Sequence, residues 1–160
     1  MNHVIVSSTT YFIYTPIPVA REMLMLGELK QGETLFDLGC GEEGNILFIA
    51  AEEFKAKAIG IEIQPYLVVC LKNKICSLRY ENKIQVIRGD LFDTDLSYAD
   101  LITLYIDPST PEKLRIKLDK ELKPGTRVVC LIYKIKGWKP LKEKSFEYAG
   151  INNKIYLYVK

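Results

Sequence analysis

Histidine is almost missing from this chain: His3 is the single one, and its place in the polar N-terminal lead gives it no expected catalytic role. The four cysteines are Cys40, Cys70, Cys76 and Cys130. No two of them form a C-x-x-C pair, which argues against both a zinc site and a disulfide framework. Reduced thiols in a cytoplasmic protein are the expectation. No apolar run approaches the ~18 residues that a membrane-spanning helix needs, and no signal-peptide pattern opens the sequence, so no membrane partner is expected. Charge of one sign is lacking too. The 22 basic and 20 acidic residues leave a net charge of +2, too little for a global field that would gather nucleic acid. Repeats and low-complexity stretches are absent. What is there is a chain of 160 residues, 48% of them hydrophobic, which predicts one domain over residues 1–160 with a substantial core.

Residues 34–63 hold the arrangement around which the rest is built. Thr34-Leu35-Phe36-Asp37-Leu38 is a short apolar run of strand formers, and glycines follow at Gly39, Gly41 and Gly44. A helical pattern covers residues 45–54, and a second apolar run, residues 58–63, carries Glu62 near its end. Strand, glycine turn, helix and strand make one βαβ unit with a nucleotide site at its first turn. A sharp turn that brings backbone close to a ligand needs residues without a Cβ, and the next helix points its first amide N–H groups at that ligand. Glu62 is placed to accept hydrogen bonds from both hydroxyls of a ribose. Read literally, residues 39–44 spell G-x-G-x-x-G, the dinucleotide fingerprint. Charge argues against that ligand. Asp37, Glu42 and Glu43 would surround a pyrophosphate, with repulsion of roughly 4 kcal/mol per close pair at an effective dielectric near 20. A ligand bearing an ammonium and a sulfonium suits the same loop. S-adenosylmethionine is such a ligand, and D-L-G-C-G at residues 37–41 resembles the motif of its class I methyltransferases.

Before this unit, Pro16 and Pro18 mark the start of a helix, with Val19, Met23, Leu24, Leu26 and Leu29 as its apolar side. After it, Pro65 opens a helix over residues 66–80, and residues 84–88 form a strand that ends at Gly89-Asp90-Leu91-Phe92. Residues 100–106 read as the next strand, followed by Asp107-Pro108-Ser109-Thr110 and a helix to residue 122. Lys123-Pro124-Gly125-Thr126 turns into a strand over residues 127–133. Residues 145–148 and 154–159, separated by Gly150-Ile151-Asn152-Asn153, read as a closing hairpin. Strands alternating with helices predict an α/β fold: a Rossmann-like, doubly wound, mostly parallel sheet with a C-terminal antiparallel hairpin. The lysines at 134, 136, 139, 142 and 144 are expected on a solvated face, and Trp138 is expected to pack.

From residue 12 to residue 159 the chain resembles the small archaeal protein-lysine methyltransferases. The resemblance is carried by Thr15-Pro16 with Arg21-Glu22-Met23-Leu24, by Asp37-Leu38-Gly39-Cys40-Gly41, and by Gly60-Ile61-Glu62-Ile63. Thr103-Leu104-Tyr105, the long run at residues 121–129, Gly137-Trp138 and Tyr156-Leu157-Tyr158-Val159 extend it. It implies S-adenosylmethionine as cofactor and protein substrates presenting exposed lysines. Asp37 and the backbone of residues 39–41 would hold the methionine end, Glu62 the ribose, and Asp90 with Leu91 the adenine. Tyr14, Thr15, Cys40, Gly44, Ile63 and Tyr105 complete the implied cofactor-binding set. Tyr105 and Asp107, where the fourth strand ends, are the implied catalytic pair, since the methyl acceptor should approach there. A monomer is expected. The chain departs from the family in three places: Glu42-Glu43-Gly44-Asn45 is longer by a residue and lacks an arginine, Phe12 replaces a tyrosine, and residues 130–133 replace a polar run. Two other readings stay open. Asp107-Pro108 resembles the acidic-Pro-Pro motif of RNA and DNA amino-methyltransferases, although Ser109 replaces the second proline. The altered loop also suits a non-catalytic cofactor-binding module.

Overall fold

The structure is a computed structural model that describes residues 14–105 and 111–160. Phe12, His3 and the segment with Asp107 lie outside the described residues. Seven strands form one sheet: β1 (Thr34–Leu38), β2 (Lys57–Glu62), β3 (Ile84–Arg88), β4 (Leu101–Leu104), β5 (Arg127–Leu131), β6 (Lys142–Tyr148) and β7 (Ile151–Val159). Four helices accompany them: α1 (Ile17–Leu26), α2 (Asn45–Glu52), α3 (Pro65–Ser77) and α4 (Pro111–Glu121). The strand order is β3-β2-β1-β4-β5-β7-β6. Strands β1 to β5 are all parallel, and β7 runs antiparallel to both β5 and β6. The Rossmann-like, mostly parallel sheet predicted from the alternation is therefore present.

The central strands are buried on both faces, which is why they read as near-continuous apolar runs rather than alternations. One face carries Leu35, Ala58, Leu101, Val129 and Leu131 against apolar residues of α1, α2 and α3. The other carries Phe36, Ile59, Ile102 and Val128 against Leu114, Leu118 and Leu122 at α4. Because β2 and β3 lie to one side of β1 while β4 and β5 lie to the other, the order reverses beside β1. In open parallel sheets that reversal leaves a crevice at the carboxyl ends of the strands, where ligands bind.

The closing hairpin differs from the expectation in its turn. The turn lies at Ala149 (φ 52°) and Gly150 (φ 77°), with Tyr148 paired to Ile151. Two positive φ values match the right-handed twist of a two-residue hairpin. Ile151, Asn152 and Asn153, read from their composition as loop, are paired strand residues. Asn153 is buried, and its Nδ2 donates to the Ile151 carbonyl at 3.0 Å. Local turn propensity is overridden there by pairing with β6.

Candidate functional site

The glycine turn begins where β1 stops. The N–H groups of Gly39 and Cys40 both donate to the Ile61 carbonyl, at 2.8 and 3.1 Å. The Gly41 N–H donates to Glu62 Oε2 at 3.0 Å, and the Gln64 N–H to Oε1 at 2.9 Å. The loop is thus laced to the end of β2, and a carboxylate already occupies the place where loop amides would meet a pyrophosphate. Each Glu62 oxygen has taken one donor, and a carboxylate has about four acceptor sites, so further donors can still be accepted.

The glycines divide in role. A Cβ built on Gly41 (φ 64°) meets nothing within 4 Å, so its backbone fronts open space. A Cβ on Gly44 (φ 60°) would lie 2.6 Å from Leu71 Cδ1, so this glycine lets the start of α2 close against α3. Cys40 turns its thiol inward, close enough to Gly60 that a Cβ there would sit 2.6 Å from Sγ. Burial, with Asp37 and Glu62 adding to it, pushes that thiol well above its ordinary range.

Asp37 lies beneath the turn. It stands in register with Gly60 of β2 and Thr103 of β4, and it is only 6% exposed. Its Oδ1 accepts from the Thr103 hydroxyl at 2.8 Å. Burial is the main cause that pushes its pKa up to about 7; the Thr103 hydrogen bond opposes this, and the nearby Glu62 carboxylate adds to it. A buried carboxylate held near half-ionisation at neutral pH is stabilised by any cation brought to it.

Other expected residues gather at the same edge. Asn45 at the start of α2 donates through Nδ2 to the Thr15 carbonyl at 2.9 Å, so the lead into α1, with the exposed Tyr14 beside it, is tied to the glycine turn. The Gly89 N–H donates to the Glu62 carbonyl at 3.0 Å, which brings Asp90 and Leu91 alongside β2. One Asp90 oxygen accepts from the Phe92 N–H at 2.9 Å, forming a turn. Leu91 packs on the second core cluster, and Ile63 is 58% exposed. Tyr105 follows β4 directly and is half-buried; burial and then the neighbouring Tyr133 raise its pKa. Asp107 belongs to the undescribed segment, so the structure does not place it against Tyr105.

Three residues escaped the sequence reading: Thr103, Asn45 and Tyr133. Thr103 was legible as a strand residue of the β4 motif, but its partner Asp37 is distant in sequence. Glu43, one of the acids expected to repel a pyrophosphate, pairs with Lys74 of α3 at 2.7 Å. Among the described residues, no group of His, Cys, Asp and Glu could hold a metal ion. A cavity of about 380 Å³ at the opposite end of the sheet is lined by Glu33, Asp100 and Arg127 among others. These side chains bond to one another and to backbone, with Arg127 on Glu33 at 2.7 Å and Asp100 on the Thr34 N–H at 2.8 Å.

Comparison with known proteins gives the chain's relatives. Residues 37–142 match the ANTKMT methyltransferase domain. A protein-lysine N-methyltransferase of Saccharolobus islandicus is 36% identical over 149 residues, covering 92% of each chain. A dimethyladenosine transferase of Schizosaccharomyces pombe is 28% identical over 72% of this chain and 36% of its own. The solved structure of an RNA methyltransferase from Salinibacter ruber, in complex with S-adenosyl-L-homocysteine, superimposes with a TM-score of 0.83. It is 34% identical and is covered over 93% of its length by 92% of this chain.

Proposed function

The chain belongs to the ANTKMT methyltransferase domain family, and on that premise we propose that it transfers methyl groups from S-adenosylmethionine to the side-chain amines of protein lysines. The observation that carries this reading is the open turn at Gly41 between two carboxylates, Asp37 and Glu62, with Glu62 filling the loop's anion position. That is a receptor for a cation and a poor one for a pyrophosphate. The cradle left by the missing Cβ at Gly41 and the carboxylate acceptors of Asp37 and Glu62 both fit S-adenosylmethionine.

In this reading Asp37 accepts from the ammonium of the methionine end, beside the backbone of residues 39–41 and the lead at Tyr14 and Thr15. The remaining acceptor sites of Glu62 take ribose hydroxyls. Asp90, Leu91 and Ile63 frame the adenine, and Tyr105 and Asp107 border the acceptor. Bound there, S-adenosylmethionine would supply an electrophilic methyl group on a sulfonium for a neutral lysine amine. The protein's part is to position. Holding reacting atoms at ~3–3.5 Å in line can supply ~7–11 kcal/mol of barrier reduction. The acceptor lysine, with an ordinary pKa near ~10.4, must lose a proton first; below that pH, each unit costs about 1.36 kcal/mol. A monomer working in the cytoplasm completes the reading, supported by four cysteines that are all free thiols.

A second reading, an RNA amino-methyltransferase, is favoured by the similarity to the Salinibacter structure. The surface speaks for protein. Of the lysines expected on a solvated face, Lys134, Lys142 and Lys144 are exposed and each paired, with Glu143, Glu28 and Glu22 respectively. Neutralised lysines do not make the basic stripe that tracks phosphates. Incubation with labelled S-adenosylmethionine and either a lysine-rich protein or total RNA decides between them. Label on lysine is expected, and label in RNA alone would sink the lysine reading.

A further inference from the structure

Two aromatic rings stand at the carboxyl edge of the sheet. Tyr105 directly follows β4 and Tyr133 lies just past β5, and their rings are nearly parallel at 12°, with centroids 6.2 Å apart. The two strands are parallel neighbours. Tyr105 packs on the cluster containing Leu35, Leu101, Val129 and Leu131. Tyr105 is two residues beyond Thr103, the residue that bonds Asp37, the carboxylate assigned to the methionine end.

The backbone takes a strained course to put Tyr133 there. Ile132 has φ 67°, a left-handed conformation that β-branched residues avoid. The Tyr133 N–H donates to the Leu131 carbonyl at 2.8 Å, closing a γ-turn of the strained hand around Ile132. The Ile132 N–H is held by the Lys154 carbonyl of β7 at 2.7 Å. Yet the ring so delivered is left 39% exposed. The chain's own lysines cover other rings: Lys74 over Phe48, Lys113 over Phe92, Lys134 over Tyr156 and Lys160 over Trp138. Among the described residues no cation covers Tyr105 or Tyr133.

We propose that Tyr133, paired with Tyr105, is the specificity-determining residue on the acceptor side, its ring face taking the methylene stem and ammonium of the substrate lysine. The inference rests on the lysine reading above. An aromatic face attracts a cation through its quadrupole and covers aliphatic carbon at the same time. A lysine side chain needs both.

The test compares Tyr133→Leu and Tyr133→Phe with wild type, using a lysine-containing peptide and its norleucine counterpart. Tyr133→Leu should raise KM for the lysine peptide roughly tenfold with the loss falling on KM rather than kcat, as removal of a cation–π contact implies. Tyr133→Phe should restore the wild-type KM. By calorimetry on protein loaded with S-adenosylhomocysteine, wild type should prefer lysine to norleucine, and Tyr133→Leu should lose that preference. Melting temperature and affinity for S-adenosylhomocysteine should not change. If Tyr133→Leu methylates lysine with unchanged KM and preference, or loses melting temperature and cofactor affinity instead, the inference is overturned while the lysine reading stands. If wild type methylates no lysine, both fall.

Discussion

Asp37 shows how a single buried carboxylate can couple stability to ligand binding. Its folded pKa, about 7, lies above the ordinary value of 3.8. A raised carboxyl pKa contributes stability that is fully present below the unfolded value and is lost as pH rises through the folded one. The apo protein should therefore lose stability between about pH 4 and pH 7 for this reason. The melting temperature of Asp37→Asn relative to wild type should climb across that interval and level off above it. A difference that does not vary with pH would show that folding leaves the Asp37 pKa unshifted. A cofactor ammonium favours the ionised form, so binding of S-adenosylhomocysteine should release a proton near neutral pH. Its affinity should fall by roughly tenfold per pH unit below about 7. Asp37→Ala should weaken binding at pH 8 by roughly 1.5–3 kcal/mol, the range for a hydrogen bond to a charged group. Calorimetry in buffers of different ionisation enthalpy reads both effects, and an affinity that is flat with pH would remove Asp37 from the ammonium site.

At the scale of elements, the glycine turn joins β1 to α2 and performs two separable tasks. Gly41→Ala places a Cβ in open space and carries mainly the left-handed penalty of about 1–2 kcal/mol. Its stability loss should be small and its loss of cofactor affinity large. Gly44→Ala adds a collision with Leu71 to that penalty, and overpacking contributes a further ~1–3 kcal/mol. Urea unfolding should show the larger loss there. Equal stability losses at the two positions would mean that α3 moves aside freely. The loop is joined to α3 by the Glu43–Lys74 pair, whose side chains are 47% and 36% exposed. Exposed pairs of this kind are worth ~0–1 kcal/mol, so the pair orients the loop more than it stabilises the fold. The Asn45 link to Thr15 gives the turn a tether to the lead into α1.

For the molecule as a whole, the switch point between β1 and β4 opens the crevice where parallel sheets bind ligands, and we propose that the acids there select the ligand. S-adenosylhomocysteine should raise the melting temperature, whereas NAD and NADP should not; a larger shift with either dinucleotide would overturn the assignment. One of the two edges of the sheet is β6, Lys142–Tyr148, whose Lys142 and Lys144 reach Glu28 and Glu22 across the α1 side. Charged residues along an edge strand oppose pairing with another sheet, in keeping with the monomer we propose. No helix among the described residues is long and apolar enough to cross a membrane.

The strands and helices were legible in the sequence because their signals are local: apolar runs at residues 34–38, 58–63 and 84–88, prolines at helix starts, and glycines at the first turn. Charge alone was enough to set aside a dinucleotide, since Asp37, Glu42 and Glu43 lie within a few residues of one another. Even the motif glycines, however, looked equivalent in the sequence. Only packing against Leu71 separated Gly44 from Gly41, because the atom that distinguishes them lies on α3. Sequence spacing made Glu62 a ribose acceptor but could not show it bonded to Gly41, since that contact needs β1 and β2 side by side. The turn at Ala149-Gly150 was misplaced because Asn152 and Asn153 are turn formers in isolation, while ladder pairing with β6 outweighs that preference. Asp37 with Thr103, and Tyr105 with Tyr133, are pairs from different strands. Their chemistry depends on register and burial, which exist only once β1, β4 and β5 are laid next to one another in the sheet.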